Sequence, residues 1–300
     1  MNHATASLNG AGGRQIFWQS WDPDPAHADP ARGDGARSEP TTRGVVVIVH
    51  GAGEHSGRYG HVAQRLVQAG FAVFAADHQG HGRSAGDRAV IDRINGAVAD
   101  LDQLVTIAGA AHPGLPIFML GHSMGATVSL EYAIAHQQRL AGLILSSALA
   151  ALDAAPAPMR LLGRTLSAVA PRLPLIGVDA SLVSRDPAVV AAYRSDPLVH
   201  HGKLPARTVA ELVAAAVTFP QRVTAITIPF LILYGTADRL CPPAGSVMLA
   251  ERIGAADKTV YPYQGLYHEI LNEPEQDTVL ADVCGWLDVH AVDTVPTAAG

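Results

Sequence analysis

The chain has 300 residues, of which 48% are hydrophobic and 16% charged, a composition typical of a folded globular protein. Its formal charge of −6, without any cluster of Lys and Arg, argues against a nucleic-acid partner, because phosphates must be neutralised by basic side chains. Its 2 cysteines exclude a disulfide framework, and no Cys/His spacing indicates a zinc site, so no metal is expected.

The amino-terminal part of the sequence shows no targeting signal. Residues 1–13 are small and polar and lack the basic and apolar regions of a secretory signal, so we expect a flexible tail. Residues 15–21 predict a short strand, and residues 22–43, dense in Pro, Asp and Gly, predict a long flexible loop. No uncharged apolar stretch approaches the ~18 residues of a membrane-spanning helix. We therefore expect a cytoplasmic protein and leave peripheral contact with membranes open.

Buried strands and helices alternate along the chain from residue 44 onward. Helical stretches such as residues 61–69 and 94–110 separate short apolar runs rich in β-branched residues, which are typical of strands covered on both faces. These runs are residues 45–49, 71–75, 117–120, 143–145 and 230–234. The alternation predicts an α/β fold with a doubly wound, mostly parallel sheet.

The alternation is interrupted between residues 151 and 223. This segment is rich in proline, lacks a convincing buried strand and carries a helical apolar stripe over residues 159–169. We interpret it as a helical cap (lid) inserted above the carboxyl edge of the sheet, where ligands of such sheets bind. The predicted organisation is a flexible tail, first strand and Pro/Asp-rich loop (1–43), a core (44–150 and 224–290), the cap (151–223) and a carboxyl-terminal tail (291–300).

A serine flanked by glycines follows one of the predicted strands. Residues 121–125 read Gly-His-Ser-Met-Gly and match the Gly-x-Ser-x-Gly pattern of a nucleophile elbow. Residues 117–120 predict a buried strand before it, and residues 126–136 predict a helix after it. The serine therefore lies on a sharp turn, where small neighbours let the backbone close tightly. We predict that Ser123 is a catalytic nucleophile.

A serine hydroxyl is a weak nucleophile, and it needs a base that is oriented by an acid. In this kind of fold the triad runs along the chain as serine, carboxylate, histidine. Asp238 directly follows the last strong strand, and His268 lies in a loop before the terminal helix, so we predict both as catalytic. Asp153 and Glu269 are competing acids. Glu269 is too close to His268 in sequence to reach around its imidazole easily.

Two backbone N–H groups are expected to stabilise the oxyanion of the tetrahedral intermediate. One is the amide of Met124, which immediately follows the predicted nucleophile. The other is the amide of Ala52, in the loop His-Gly-Ala-Gly at residues 50–53, which follows the first buried strand. We expect His50 to brace this loop.

Several of these motifs resemble those of the monoacylglycerol lipases. Residues 50–59, His-Gly-Ala-Gly-Glu-His-Ser-Gly-Arg-Tyr, resemble the oxyanion loop of that family, and residues 77–84, Asp-His-Gln-Gly-His-Gly-Arg-Ser, are similar to its second signature. The elbow at residues 121–125 also resembles that of the family. Further similarities are found in the acid turn (235–240), the histidine loop (267–269) and two stretches of the cap (184–186 and 193–198). The resemblance extends from residue 45 to residue 287.

The resemblance implies an α/β-hydrolase that cleaves monoacylglycerols to glycerol and fatty acid, with no metal and no organic cofactor. It also implies the triad and oxyanion amides given above. Glu54, Arg58 and Tyr193 match positions near the polar, glycerol-receiving end of the pocket, although each is also explicable as a loop-bracing group. The expected partner is a small lipid. The cap is a candidate surface for transient membrane contact or for a dimer, and the oligomeric state is not predicted.

The sequence departs from the family pattern at three places. Ala126 stands where many members have a further glycine, and we expect this to change helix packing more than catalysis. Residues 22–43 form a longer loop than the usual hairpin connection. Cys241, three residues after Asp238, is a candidate for interference by thiol reagents, and an inert half-buried thiol is the alternative.

Three alternatives to a monoacylglycerol lipase stay open at the level of sequence. The same triad serves a lysophospholipase, a broad carboxylesterase, or an acyltransferase in which an alcohol replaces water. A cofactor-free perhydrolase or haloperoxidase uses it with peroxide. The third alternative is a non-catalytic binding receptor on this fold, against which the intact set of Ser123, Asp238 and His268 argues.

Overall fold

A mostly parallel β-sheet forms the centre of the computed structural model, which describes residues 1–24, 42–150, 163 and 165–291. Among these residues the central sheet has eight strands, and a further pair of strands lies outside it. The strands are β1 (Asn2–Asn9), β2 (Gln15–Asp22), β3 (Gly44–Val49), β4 (Phe71–Ala76), β5 (Ile117–His122), β6 (Gly142–Ser146), β7 (Pro174–Gly177), β8 (Lys203–Pro205), β9 (Phe230–Gly235) and β10 (Lys258–Tyr263).

The order of strands across the central sheet is β1-β2-β4-β3-β5-β6-β9-β10. The strands from β4 to β10 run parallel, whereas β1 and β2 pair antiparallel at one edge. The α-helices are α1 (Gly60–Gln68), α2 (Ile94–Ala111), α3 (Met124–His136), α4 (Pro187–Ser195), α5 (Ala206–Arg222), α6 (Ala244–Arg252) and α7 (Gln276–His290). The predicted doubly wound α/β sheet is therefore confirmed.

The central strands are apolar on both faces because helices cover the sheet from both sides. Val47 of β3 belongs to a buried cluster with Leu104 of α2 and Val128 of α3. Its neighbour Ile48 points the other way and joins Leu66 of α1 and Val283 of α7. Successive residues of a strand face opposite sides, so a strand buried on both faces needs a continuous apolar run.

The expectation of a flexible tail over residues 1–13 is wrong. Strand β1 pairs with β2 along its whole length, and its turn is closed by the N–H of Gly10, which donates to the carbonyl of Arg14 at 2.7 Å. Within β1, Leu8 alone is buried, so the sequence has no apolar alternation to indicate a strand. Backbone pairing at the sheet edge stabilises this segment without a hydrophobic pattern. The predicted loop over 22–43 and the tail at 291–300 lie almost entirely outside the described residues.

The described residues between β6 and β9 contribute no strand to the central sheet, as the interrupted alternation predicts. Its described part contains α4, α5 and the antiparallel pair β7–β8. These two strands were missed because they are only four and three residues long and each contains proline. The predicted apolar stripe lies partly outside the described residues, and residues 165–169 are helical. We refer to residues 163–223 as the inserted segment.

Candidate active site

Ser123 occupies a strained turn between β5 and α3. Its backbone has φ 55° and ψ −119°, and a positive φ is uncommon for a residue with a side chain. The N–H of Ser123 donates to the carbonyl of Ser146 at 3.0 Å, which ties the turn to β6. A Cβ on Gly125 would lie 2.0 Å from the carbonyl oxygen of Val49, so only glycine permits α3 to start this close to β3.

Gly125→Ala is therefore expected to destabilise the protein by roughly 3 kcal/mol, the upper end of the cost of overpacking, because the clash is with backbone that cannot move aside. Gly285→Ala is a matched control, since this exposed glycine of α7 has nothing within 4 Å of an added Cβ. That variant should gain roughly 0.5–1 kcal/mol from helix propensity. Urea unfolding of both variants measures the difference, and equal stabilities would contradict the close-packed elbow.

Asp238 and His268 form a buried hydrogen-bonded pair at the carboxyl ends of β9 and β10. The Nδ1 atom of His268 lies 2.8 Å from Oδ2 of Asp238. The other carboxylate oxygen, Oδ1, accepts from the N–H groups of Leu240 and Cys241, both at 2.9 Å. Burial lowers the pKa of His268, but the hydrogen bond and charge of Asp238 outweigh burial, and the pKa is raised overall. The carboxylate thus orients the imidazole and favours its protonated form.

Ser123 and His268 line the same cavity, together with Cys241. The Oγ atom of Ser123 lies 3.7 Å from the Sγ atom of Cys241. Burial, with a smaller contribution from the charge of Asp238, raises the pKa of the Cys241 thiol. The thiolate is the reactive form of cysteine, so a raised pKa makes this thiol poorly reactive although it lies close to Ser123.

The Gly51–Ala52 peptide is held in one orientation by His50. The Nδ1 atom of His50 lies 2.8 Å from the carbonyl oxygen of Gly51, and its Nε2 atom accepts from the N–H of His78 at 2.9 Å. In a planar trans peptide the N–H points opposite to the carbonyl, so fixing the Gly51 oxygen also aims the Ala52 N–H. Ala52 lines the cavity beside Ser123. This arrangement agrees with a bracing role for His50.

Met124 begins α3, and the first N–H groups of a helix have no partner within the helix. Its amide therefore lies at the positive end of the helix dipole, directly after Ser123. Of the two predicted oxyanion amides, that of Ala52 therefore belongs to the loop after β3, and that of Met124 to the first residue of α3.

The cavity has a volume of about 330 Å³ and is polar at one end and apolar elsewhere. Glu54, His122 and Glu269 form the polar end near Ser123. Helix α5 of the inserted segment supplies much of the apolar wall. The apolar lining residues are Leu149, Ile176, Val178, Val183, Leu204, Val209, Leu212, Val213, Val217 and Leu240.

Arg58 joins two carboxylates at the polar end of the cavity. Its guanidinium binds Glu269 through two hydrogen bonds of 2.7 Å and Glu54 through a third of 2.7 Å. It also stacks 4.8 Å from the ring of Tyr193. Glu54 and Tyr193 line the cavity, whereas Arg58 is not among its lining residues and contacts them from behind. Of the three predicted substrate-binding residues, the structure thus brings two to the cavity wall.

Glu269 is a site residue whose contacts sequence reasoning missed. Its oxygens bind Arg58 and Asn272, whereas Nδ1 of His268 is bound to Asp238. Burial raises the pKa of Glu269, but the charge and hydrogen bonds of Arg58 outweigh burial, so the pKa is lowered. Its partner Arg58 is 211 residues away, and no local pattern could indicate this pairing. The other competing acid, Asp153, lies outside the described residues.

Three further histidines are buried around the site. Burial lowers the pKa of His78 to about 3 and the pKa of His81 and of His122 to about 4. The buried Nε2 atoms of His78 and His81 have no hydrogen-bond partner among the residues that the structure describes. These rings are therefore neutral in the folded protein at pH values where they are protonated in the unfolded chain, near pKa 6.5.

We expect acid to destabilise the protein between about pH 6.5 and pH 4, because the unfolded state binds protons that the folded state excludes. As the pH falls through this window, each such histidine lowers the free energy of unfolding by about 1.4 kcal/mol per pH unit. His268 acts oppositely, since its raised pKa stabilises the fold at low pH. Urea unfolding at several pH values measures the slope of the free energy of unfolding against pH. His81→Gln should reduce it and the exposed control His201→Gln should not; a slope equal in all three proteins would contradict this origin.

The site combines a serine at a strand–helix elbow with a carboxylate and a histidine that follow later parallel strands of the same sheet. This combination defines a hydrolase of the α/β-hydrolase fold. Residues 40–275 match the family described as serine aminopeptidase, S33. A monoacylglycerol lipase of Mycolicibacterium smegmatis is 44% identical over 285 residues, which are 95% of this chain and 96% of the relative. The chain therefore belongs to the serine aminopeptidase S33 family, and its relatives place it in the monoacylglycerol lipase family.

Other relatives and solved structures agree. Human monoglyceride lipase is 37% identical over 251 residues, covering 82% of this chain and 83% of the relative. The crystal structure of a monoacylglycerol lipase of Paleococcus ferrophilus matches with a TM-score of 0.76 and 34% identity, over 83% of this chain and 96% of that one. A soluble variant of the Saccharomyces cerevisiae monoglyceride lipase, in complex with a substrate analog, matches with a TM-score of 0.78 and 25% identity, over 95% and 94%.

Proposed function

We propose that the protein hydrolyses monoacylglycerols to glycerol and free fatty acid through an acyl-enzyme on Ser123. The observation that carries this proposal is the cavity, which joins Ser123 and His268 to a small polar end and a long apolar wall. A monoacylglycerol has the same division, with two free hydroxyl groups beside the ester and an alkyl chain beyond it. The family of the chain supports the same substrate class.

The reaction follows the acyl-transfer scheme of serine hydrolases. Oγ of Ser123 attacks the ester carbonyl while Nε2 of His268 takes its proton, because Nδ1 is bound to Asp238. The N–H groups of Ala52 and Met124 bind the oxyanion. His268 then protonates the departing glycerol oxygen. A water molecule, deprotonated by His268, then attacks the acyl group; the bond to Oγ of Ser123 breaks, His268 returns the proton to Oγ, and the fatty acid is released.

The polar end of the cavity receives the glycerol part in this proposal. The carboxylate oxygens of Glu54 and Glu269 are acceptors, and the free hydroxyl groups of a monoacylglycerol are donors. Arg58 binds both carboxylates and holds them in place, and its charge lowers the pKa of Glu269. Tyr193 closes the same end, where its ring stacks on Arg58. Diacylglycerols lack one of these hydroxyl groups and add an alkyl chain at a charged wall, so they bind poorly.

In this proposal residues 151–223 form a cap, and the inserted segment, which is its described part, contacts lipid surfaces. Val169, Leu173 and Ile176 are 74%, 40% and 54% exposed, and they lie within eight residues of one another. Ile176 also lines the cavity, so this apolar surface and the acyl site are adjacent. Among the described residues, no helix combines the length and apolar character needed to cross a bilayer.

The experiment that tests the proposal measures fatty-acid release from 1-monoacylglycerols with acyl chains of increasing length. Diacylglycerol, triacylglycerol, lysophosphatidylcholine and p-nitrophenyl esters are assayed in parallel, with Ser123→Ala as the control for contaminating activity. We expect rapid release from monoacylglycerols and little from the bulkier esters. Equal or faster hydrolysis of lysophosphatidylcholine or simple esters would assign the site to a lysophospholipase or a broad carboxylesterase instead.

A further inference from the structure

The loop that carries His268 is fastened to the inserted segment at residues 183–185. The N–H of Glu269 donates to the carbonyl of Val183 at 2.7 Å, and the hydroxyl of Ser184 donates to the carbonyl of Asn272 at 3.1 Å. Both Val183 and Ser184 are buried. Ser184 and Arg185, the first two residues of the Ser-Arg-Asp sequence in the cap, therefore contact the histidine loop.

Glu273 is the buried centre of this junction. Its side chain is fully buried, and its Oε1 atom accepts from the N–H groups of Tyr267 and Arg185, both at 3.0 Å. Its Oε2 atom accepts from Nε of Arg185 at 2.7 Å. A carboxylate is expensive to bury unless it is paired and hydrogen-bonded, and here one cation and two backbone amides fulfil that need. Arg185 also binds Glu275 at the surface.

We infer that Glu273 is a positioning residue for His268, acting through the amide of Tyr267, the residue directly before it in the chain. This inference rests on the proposed role of His268 as the general base. One carboxylate oxygen accepts hydrogen bonds from both the histidine loop and the inserted segment. It therefore fixes the position of the loop relative to the cavity wall. Glu273 is not among the residues that line the cavity, and it does not contact substrate.

The geometry of the junction explains why a distant carboxylate affects the reaction. His268 must be within hydrogen-bond reach of Ser123 while its Nδ1 atom stays bound to Asp238, and displacement by about 1 Å can cost about 100-fold in rate. Val183 lines the cavity, so the same junction sets the wall against which the acyl chain packs. Glu273 therefore aligns the base with the bound ester.

Glu273→Gln tests the inference with little change in side-chain shape. The amide oxygen still accepts from backbone N–H groups, but its NH₂ group is directed at another donor, Nε of Arg185, and the junction loosens. We expect kcat on a monoacylglycerol to fall about 10- to 100-fold, with KM changed less than about threefold. The rate at which a fluorophosphonate labels Ser123 should fall in parallel. Glu275→Gln, which contacts Arg185 at the surface only, is the matched control and should retain full activity.

The pH profile separates positioning from a general loss of stability. The groups facing His268 are Asp238, Glu269 and Glu54, which raise its pKa, and His122. When the loop loosens, His268 moves away from Asp238, so we expect the acid limb of kcat/KM to move to lower pH. A variant that is merely less stable keeps the limb in place below its melting temperature.

Two results would overturn the inference: a folded Glu273→Gln with wild-type kcat and an unmoved acid limb, or the same loss in Glu275→Gln. If Glu273→Gln does not fold, Arg185→Met removes the partner from the half-exposed side, and its unchanged kcat and pH profile would equally overturn it. Failure of the proposed function is distinct, because then the wild-type protein would hydrolyse lysophosphatidylcholine or simple esters at least as fast as monoacylglycerols, or Ser123→Ala would stay active. An inactive Ser123→Ala with an unaffected Glu273→Gln refutes only the positioning role.

Discussion

Replacing Ser123 with alanine is expected to lower kcat for ester hydrolysis about 10⁶-fold, the order of loss when a serine hydrolase loses its nucleophile. The remaining cavity, the Asp238–His268 pair and the oxyanion amides stay in place, so substrate should still bind. Fatty-acid release by the purified variant measures the loss, and labelling by a fluorophosphonate should disappear. Retention of more than about 1% of the activity would contradict covalent catalysis by Ser123, because the reaction would then not require its hydroxyl group.

Ser123→Gly is the matched control for folding. It also removes Oγ, but glycine adopts the positive φ of this turn without strain, whereas alanine does not. Strain of this kind costs about 1–3 kcal/mol, partly offset by the greater freedom of glycine in the unfolded chain. We therefore expect both variants to be inactive and the glycine variant to melt at the higher temperature. Thermal unfolding followed by circular dichroism measures the order, and the reverse order would mean that the turn is unstrained.

The sequence predicted those parts of the fold that depend on local patterns. The run at residues 45–49 is typical of a strand with both faces covered, and the structure places it in the middle of the sheet as β3. The glycine spacing at residues 121–125 predicted a tight strand–helix turn, and the positive φ of Ser123 is its structural counterpart. Chain order and placement, after a strand for one and before the terminal helix for the other, selected Asp238 and His268 from many carboxylates and 14 histidines, and the two are hydrogen-bonded.

Features that depend on partners distant in the chain were not predictable in this way. Strand β1 has no apolar pattern because its stabilisation comes from backbone pairing with β2. Arg58 and Glu269 are separated by 211 residues, and Arg185 and Glu273 by 88, so only the folded chain reveals that each carboxylate is neutralised. A buried ion pair has no periodicity. Its signal in a single sequence is a charged residue beside an otherwise apolar stretch, which is also typical of an exposed loop.

Replacing Asp238 with asparagine is expected to lower kcat about 10⁴-fold while preserving the fold. The physical reason lies in the two backbone donors at Oδ1. The N–H groups of Leu240 and Cys241 require an acceptor there, so the oxygen of the new side chain occupies that position and its NH₂ group faces His268. An NH₂ donor must meet an unprotonated Nδ1. The proton of neutral His268 then moves to Nε2, where it prevents the ring from accepting a proton from Ser123.

Glu269→Gln separates this tautomer effect from the loss of a nearby charge. Both carboxylates are buried and both raise the pKa of His268, but only Asp238 is hydrogen-bonded to its ring. We therefore expect Glu269→Gln to cost far less in kcat than Asp238→Asn and to act mainly on KM for monoacylglycerols, because Glu269 lines the polar end of the cavity. Steady-state kinetics on a monoacylglycerol and on a simple ester without hydroxyl groups measure how far each variant changes kcat and how far it changes KM. An equal loss of kcat in the two variants would mean that charge, and not the tautomer of His268, is what the carboxylate supplies.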